Sequence, residues 1–516
     1  MKKYFTSLNI VFAVEVIVVV LASLGVVPRE AVLFLTGLAV FYMIFSSPED
    51  SLYLVIRSIP LFVALPFGEG LGSTANWRIL VVALFLCLFF KKGISISLVK
   101  NAAGKWRLKE NLKHYPMEYL AAGAFLIICV LSIFVADYKG LAVKKLLFLI
   151  NAALLYVVIR NLANGKKIAE EILKSMAVAV GVVIAVALVQ FVAVLFIPLF
   201  SFWQFWAQKV ISVFYGQNLA DLLSYSNTWF AYYSVNPPTL RLFSVFPDSH
   251  SMAMFLILSV PVLVGLVVFF KNSRKKIIFW AMTVLALAAI IMSGSRGAWV
   301  GLLPVALIGV YLFSKKIDNV LTKKAILTFL IFGFLFLLSS FYPPVLYKFQ
   351  AWQGSGNAST TFSFFERAKS ISKLSETSNK GRLEIWKASA EALKKYPLLG
   401  VGLGNYVTVL NEDVSAAKKG ASAHNLYLDF ANEIGLFGAL FLLFIFFEIL
   451  RNSWLIFRHS GEPYFRAFGL FFGLYFLWVM AYSLFDVVLL NDKVLLFFMT
   501  GVGLLYSVRR IEKMED

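Results

Sequence analysis

Stretches of about twenty apolar residues recur along this chain from Leu8 to Val508, and that length is what crossing the hydrocarbon core of a bilayer requires. About fourteen such runs are present, the first at 8–27 and the last at 493–508. Two are short, 51–67 and 77–90, and if these re-enter or fuse the number of spans falls to about twelve. The fold class expected is an all-α polytopic membrane protein with about 12–14 transmembrane helices. Lys2 and Lys3 before the first run resemble the start of a signal sequence, but no A-x-A site follows and the run is long enough to span, so it reads as a retained first helix.

Charge sets the expected orientation. The chain carries 48 Lys and Arg against 28 Asp and Glu, a formal charge of +20. On a soluble protein that excess suggests nucleic acid, but these cations gather at the ends of apolar runs, as the positive-inside rule requires, and no nucleic-acid role follows. With the N-terminus cytoplasmic, the clusters Lys91 to Lys113, Arg160 to Lys167, Lys271 to Lys276, Lys315 to Lys324, Arg451 with Arg458, and Arg509 with Arg510 all face inward. Lys139 with Lys144 and Lys145, at an outer turn, breaks the pattern. Cys87 and Cys129 lie inside apolar runs and support neither a disulfide framework nor a metal site.

The chain therefore divides into N-terminal transmembrane helices (1–197), an aromatic outer loop (198–249), central helices with the SRG hairpin (250–342), a large outer loop (343–423) and C-terminal helices (424–516). In the first loop Trp203, Phe205, Trp206, Trp229, Tyr232 and Tyr233 have the composition of an interfacial belt. In the second, GRLEIWKASAEALKKY (381–396) has a helical period with Leu383, Trp386, Ala390 and Leu393 on one stripe and is ended by Pro397. The glycines at 400, 402 and 404 lack the preceding strand and the spacing of a dinucleotide loop, and read instead as a tightly turned connection back to the membrane.

Few side chains offer chemistry at the outer face. Arg296, between Gly294 and Gly297 in a helical hairpin, presents a planar fork suited to phosphate oxygens. Arg382 and Trp386, four residues apart, share a helix face, which would let the guanidinium rest against the indole. Arg241 precedes a helix that Asp248 or Ser249 would cap. Of four histidines, His114 and His459 fall inside by topology, leaving His250 and His424 for acid–base work. His424 stands where the large loop re-enters the membrane, beside Asn425 and just over one turn before Asp429. No HExxH-like spacing or nearby Cys suggests a metal.

The motifs SGSRGAWVG, GRLEIWKASAEALKKYPLLGVGLGNY and SAHNLYLDFANEIGLFG, with RLFSVFPDSHSMA before them and SLFDVVLL after, resemble the O-antigen ligase and O-antigen polymerase superfamily over about residues 241–490. The resemblance implies a GT-C-like membrane glycosyltransferase of the bacterial inner membrane, acting on the periplasmic face without metal or other cofactor. Its implied partners are an undecaprenyl-pyrophosphate-linked glycan donor, a lipid A-core or glycan acceptor, and membrane lipids. By matching position, His424, Arg296 and Arg382 take the catalytic places; Arg241, Trp386, Asn425 and His250 are expected to bind substrate. A ligase using lipid A-core is the first expectation; a polymerase extending a lipid-linked repeat chain is the alternative, followed by a protein O-oligosaccharyltransferase. A transporter of lipid-linked glycan would carry charges facing a central cavity, whereas the charges within the runs are few (Glu15, Arg57, Glu448, Asp486).

Overall fold

The computed structural model describes residues 6–66, 74–93, 117–225, 231–232, 239–339, 341, 377–410 and 422–514. The helices are α1 (Ser7–Ser23), α2 (Ala31–Phe45), α3 (Pro48–Ser58), α4 (Trp77–Lys92), α5 (Met117–Val135), α6 (Lys139–Leu162), α7 (Lys166–Phe196), α8 (Ser249–Phe269), α9 (Ser273–Met292), α10 (Arg296–Ser314), α11 (Asn319–Ser339), α12 (Thr377–Lys395), α13 (Leu426–His459), α14 (Pro463–Tyr482) and α15 (Asp492–Ile511). Shorter helical pieces fill 199–225. Among the described residues nine helices (α6 to α11 and α13 to α15) are long and apolar enough to cross a membrane, and three shorter apolar ones lie within α1, α2 and α5. The protein is an all-α, multi-pass membrane protein.

The two short runs behave differently. Run 77–90 is helical as α4, but 51–67 is no span: α3 ends at Ser58, a single 3₁₀ turn follows through Pro60, and Ala64–Leu65 pair with Thr74–Ala75. Eleven helical residues rise only about 16 Å. This broken backbone is tolerated because protein, rather than lipid, buries it.

The centre of the bundle is α8, α14 and α15, whose apolar windows are 89%, 72% and 78% buried, while α11 (28%) lies at the rim. Helix α10 approaches α14 closely because Gly297 faces it: a Cβ there would sit 2.9 Å from the Tyr482 ring. Trp478 of α14 secures the contact by donating its indole N–H to Ala298 O at 2.6 Å.

Charge separates the two ends. At one end Arg510 donates to the carbonyls of Arg160 (2.6 Å) and Ala163 (3.1 Å), Lys166 pairs with Glu462 (2.7 Å), and Arg466 pairs with Asp318 (2.7 Å). The end formed by the start of α8, the α9–α10 turn, the end of α14 and the start of α13 carries none of those clusters. Lys145, the exception to the charge rule, belongs to this second end and is neutralised there by Glu433 at 2.6 Å and Asp429 at 3.5 Å.

The aromatic loop is folded inward in part. Trp203 and Trp206 are buried, Trp203 donating to Leu223 O (3.1 Å) and Trp206 lying edge-on to Phe243 at 5.8 Å, so these two are packing residues rather than an interfacial belt. Phe205 is exposed. Trp229 and Tyr233 lie outside the described residues.

Candidate active site

Four chain segments meet at the second end of the bundle. Asp248 caps α8, its carboxylate accepting from Ser251 N at 2.7 Å, which puts His250 on the first turn. Leu242 N donates to Met292 O at 3.1 Å and so binds the segment before α8 to the α9–α10 turn. Leu426 N donates to Ser483 O at 2.8 Å, joining the start of α13 to the end of α14. These backbone ties, with Ser295 bonded to Tyr482, bring residues 241–250, 293–296, 423–429 and 482–486 to one place.

The imidazole of His250 is held from both sides. Arg241, itself buried, donates through Nε to Ser293 O (3.0 Å) and lies with its terminal nitrogen 3.0 Å from His250 Nε2. A guanidinium only donates, so Nε2 must accept and the ring proton resides on Nδ1. That nitrogen faces Tyr482 Oη (3.0 Å), Ser295 Oγ (3.1 Å) and Asp486 Oδ2 (3.1 Å), while Ser295 and Tyr482 bond each other at 2.5 Å. Burial, with nearby Asp248 adding to it, pushes the Asp486 carboxyl up to about 7; the Val487 N–H, Arg382 and Arg241 oppose that rise.

His424 is built differently. Trp386 of α12 donates its indole N–H to Ala423 O at 2.9 Å, so the loop helix is docked on the peptide just before His424. Asn425 spends its side-chain oxygen on the amides of Tyr427 (3.0 Å) and Leu428 (3.1 Å), capping α13. Between these two anchors His424 adopts a left-handed backbone, φ +46°, a conformation in which His is enriched. The ring keeps an exposed face. Desolvation where it meets the protein, then the Arg382 cation, lower its pKa, against an opposing pull from Asp429, so it is neutral and able to accept a proton at neutral pH.

Arg382 links the two groups, since its charge acts on both His424 and Asp486. Arg296 opens α10 immediately after Ser295, half-buried at the same turn. All seven residues singled out in the sequence thus lie at this end, though Asn425 and Trp386 use their polar atoms on the protein itself. Sequence reasoning missed Tyr482, Ser295 and Asp486 as parts of the site. Asp486 counted only as a sparse charge within an apolar run, and the one signal for it was its position inside the motif SLFDVVLL.

Residues 281–443 match the family model described as O-antigen ligase. That segment is similar to an O-antigen ligase domain. Over 163 residues, 31% of the chain, it is also 24% identical to a ComP-specific O-oligosaccharyltransferase of Acinetobacter baylyi, and the alignment covers 26% of that relative. Both likenesses suggest a glycosyltransferase-like enzyme. The O-antigen ligase segment supplies Arg296, Arg382 and His424, whereas Arg241, His250, Tyr482 and Asp486 lie outside it.

Proposed function

We propose that this protein is an O-antigen ligase-type glycosyltransferase, moving a glycan from undecaprenyl pyrophosphate to a lipid A-core acceptor on the periplasmic face of the bacterial inner membrane. The observation that carries the reading is the meeting of His424 and Arg382 at the end of the bundle opposite the basic clusters. A pyrophosphate leaving group already activates the sugar, so transfer needs cations for the charge that develops on it and a base for the acceptor hydroxyl. Arg382 and Arg296 take the first task and His424 the second, with Arg241 and His250 lining the donor side and Trp386 and Asn425 holding the His424 segment against it. His250 is a poor base here because its one lone pair is engaged by Arg241. A second reading, transfer to a protein hydroxyl, is favoured by the acceptor in the name of the Acinetobacter relative.

Incubating the purified protein with an undecaprenyl-pyrophosphate-linked glycan and, separately, lipid A-core, a second donor molecule or a protein acceptor tests the proposal. Lipid A-core should be consumed; extension of the donor alone would make it a polymerase. In the same assay Arg296→Lys and Arg382→Lys should both turn over below the parent rate, because an ammonium is a point charge where a guanidinium binds phosphate oxygens in pairs. Parent rates and donor affinity in both would remove the clamp. Orientation is read by thiol labelling: Lys395→Cys, at the end of α12, should react with an impermeant reagent in intact cells, and reaction only after permeabilisation would invert the topology.

A further inference from the structure

The cation that breaks the charge rule sits directly behind the proposed base. Lys145 reaches from α6, outside the O-antigen ligase segment, to two carboxylates one turn apart on α13. Its Nζ lies 2.6 Å from Glu433 Oε2 and 3.5 Å from Asp429 Oδ2, and the side chains of Asp429 and Glu433 are only 5% and 3% exposed. Asp429 uses its other oxygen, Oδ1, to accept the N–H of Ala423 at 3.0 Å. The carbonyl of that same alanine takes the Trp386 indole. Ala423, the residue before His424, is therefore held by both of its backbone polar groups, its carbonyl by α12 and its N–H by α13 with α6.

We infer that Lys145 and Asp429 are positioning residues for His424, a brace that runs from α6 through the Asp429 carboxylate to the Ala423 amide and holds the imidazole in its left-handed backbone setting. Left-handed backbone at a residue other than glycine is unfavourable and persists only where its surroundings over-determine it. At His424 those surroundings are the tied Ala423 backbone on one side and the Asn425 cap on the other. Without Lys145, Asp429 and Glu433 would be two like charges buried side by side, and burial of an unpaired charge is strongly unfavourable. The cation thus offsets the charge of the pair and leaves Asp429 Oδ1 free to hold the amide. The charged groups acting on His424 are Arg382 from α12 and Asp429 from α13; Lys145 and Glu433 stand behind Asp429, and Asp486 and His250 lie beyond Arg382.

The inference rests on His424 being the base, and the test separates the two. Transfer from an undecaprenyl-pyrophosphate-linked glycan to lipid A-core is followed across pH with the full chain. Asp429→Asn keeps an oxygen for Ala423 N–H but removes the negative charge that favours the imidazolium, so the acid limb of kcat should move to lower pH with donor KM unchanged. Asp429→Ala loses the tie as well, and kcat should fall by roughly 10²-fold, the scale of a 1 Å misplacement. Lys145→Met should lower kcat in the same way and Lys145→Arg should restore it. Should Lys145→Met fail to fold, Lys145→Met with Glu433→Gln, which removes one of the two stranded charges, takes its place. An unmoved acid limb in Asp429→Asn together with parent kcat in Asp429→Ala overturns the brace, whereas a fully active His424→Ala overturns the underlying reading.

Discussion

His424→Ala is expected to lose about 10²–10⁴-fold in glycan transfer while binding the donor as before, the range that a general base contributes. Its lowered pKa leaves a lone pair available at neutral pH, and the residue is exposed. His250→Ala should cost less, because that ring is already committed to Arg241 on one side and to Tyr482, Ser295 and Asp486 on the other. Alanine at φ +46° adds backbone strain of its own, so His424→Asn is the companion variant: asparagine tolerates the left-handed region and keeps the chain path. Loss of transfer in both, with donor binding retained, fits a missing proton acceptor. Transfer at the parent rate by a folded His424→Ala, from mildly acidic to mildly basic pH, would leave the arginines to account for the rate alone.

Gly435→Ala is expected to be the most damaging single change to the fold. Gly435 interrupts α13 at φ +76°, and a Cβ there would lie 2.0 Å from Leu398 O and 2.3 Å from Leu398 C. Backbone cannot step aside as a side chain does. The turn after α12 is fastened at this break, Leu436 N donating to Pro397 O (2.9 Å) and Val401 N to Asn432 O (2.8 Å). Gly400 meets the same break from the other strand of the contact, its own Cβ position 2.2 Å from Asn432 O. Alanine at 435 has to prise the turn from the helix, breaking both backbone bonds, and should yield little detergent-stable protein or a melting midpoint lowered by many degrees. Gly333→Ala in α11, with open space around it, is the control and should be neutral to slightly stabilising. Parent-like melting of Gly435→Ala would mean that the turn is not held there.

The spans were legible because an apolar run long enough to cross a bilayer has few other folded outcomes, and α6 to α11 and α13 to α15 lie where the runs are. Run 51–67 misled because it is apolar for a different reason: it is buried in protein, and Pro60 prevents a continuous helix. Trp203 and Trp206 misled likewise, since an indole at an interface and one packed in a folded loop look the same in a sequence. Asp429 was noted for its spacing from His424, but Lys145 was visible only as an anomaly of charge. Its two carboxylate partners lie almost three hundred residues away, and no local periodicity encodes such a pairing. The same holds for Tyr482 and Ser295, which acquire their roles only when α14 closes on the α9–α10 turn.

The division of the site between the O-antigen ligase segment and its flanks bears on how such enzymes can be recombined. A chimera that exchanges only 281–443 with a relative replaces the stretch holding Arg296, Arg382 and His424 but keeps the host's Lys145, Arg241, His250 and Asp486. Each imported side chain then meets a partner that arose with a different sequence. Acceptor preference should therefore travel between relatives only when helices α6, α8 and α14 and the Asp486 turn travel with the segment, which makes the inheritable unit of this chemistry larger than the stretch by which it is recognised.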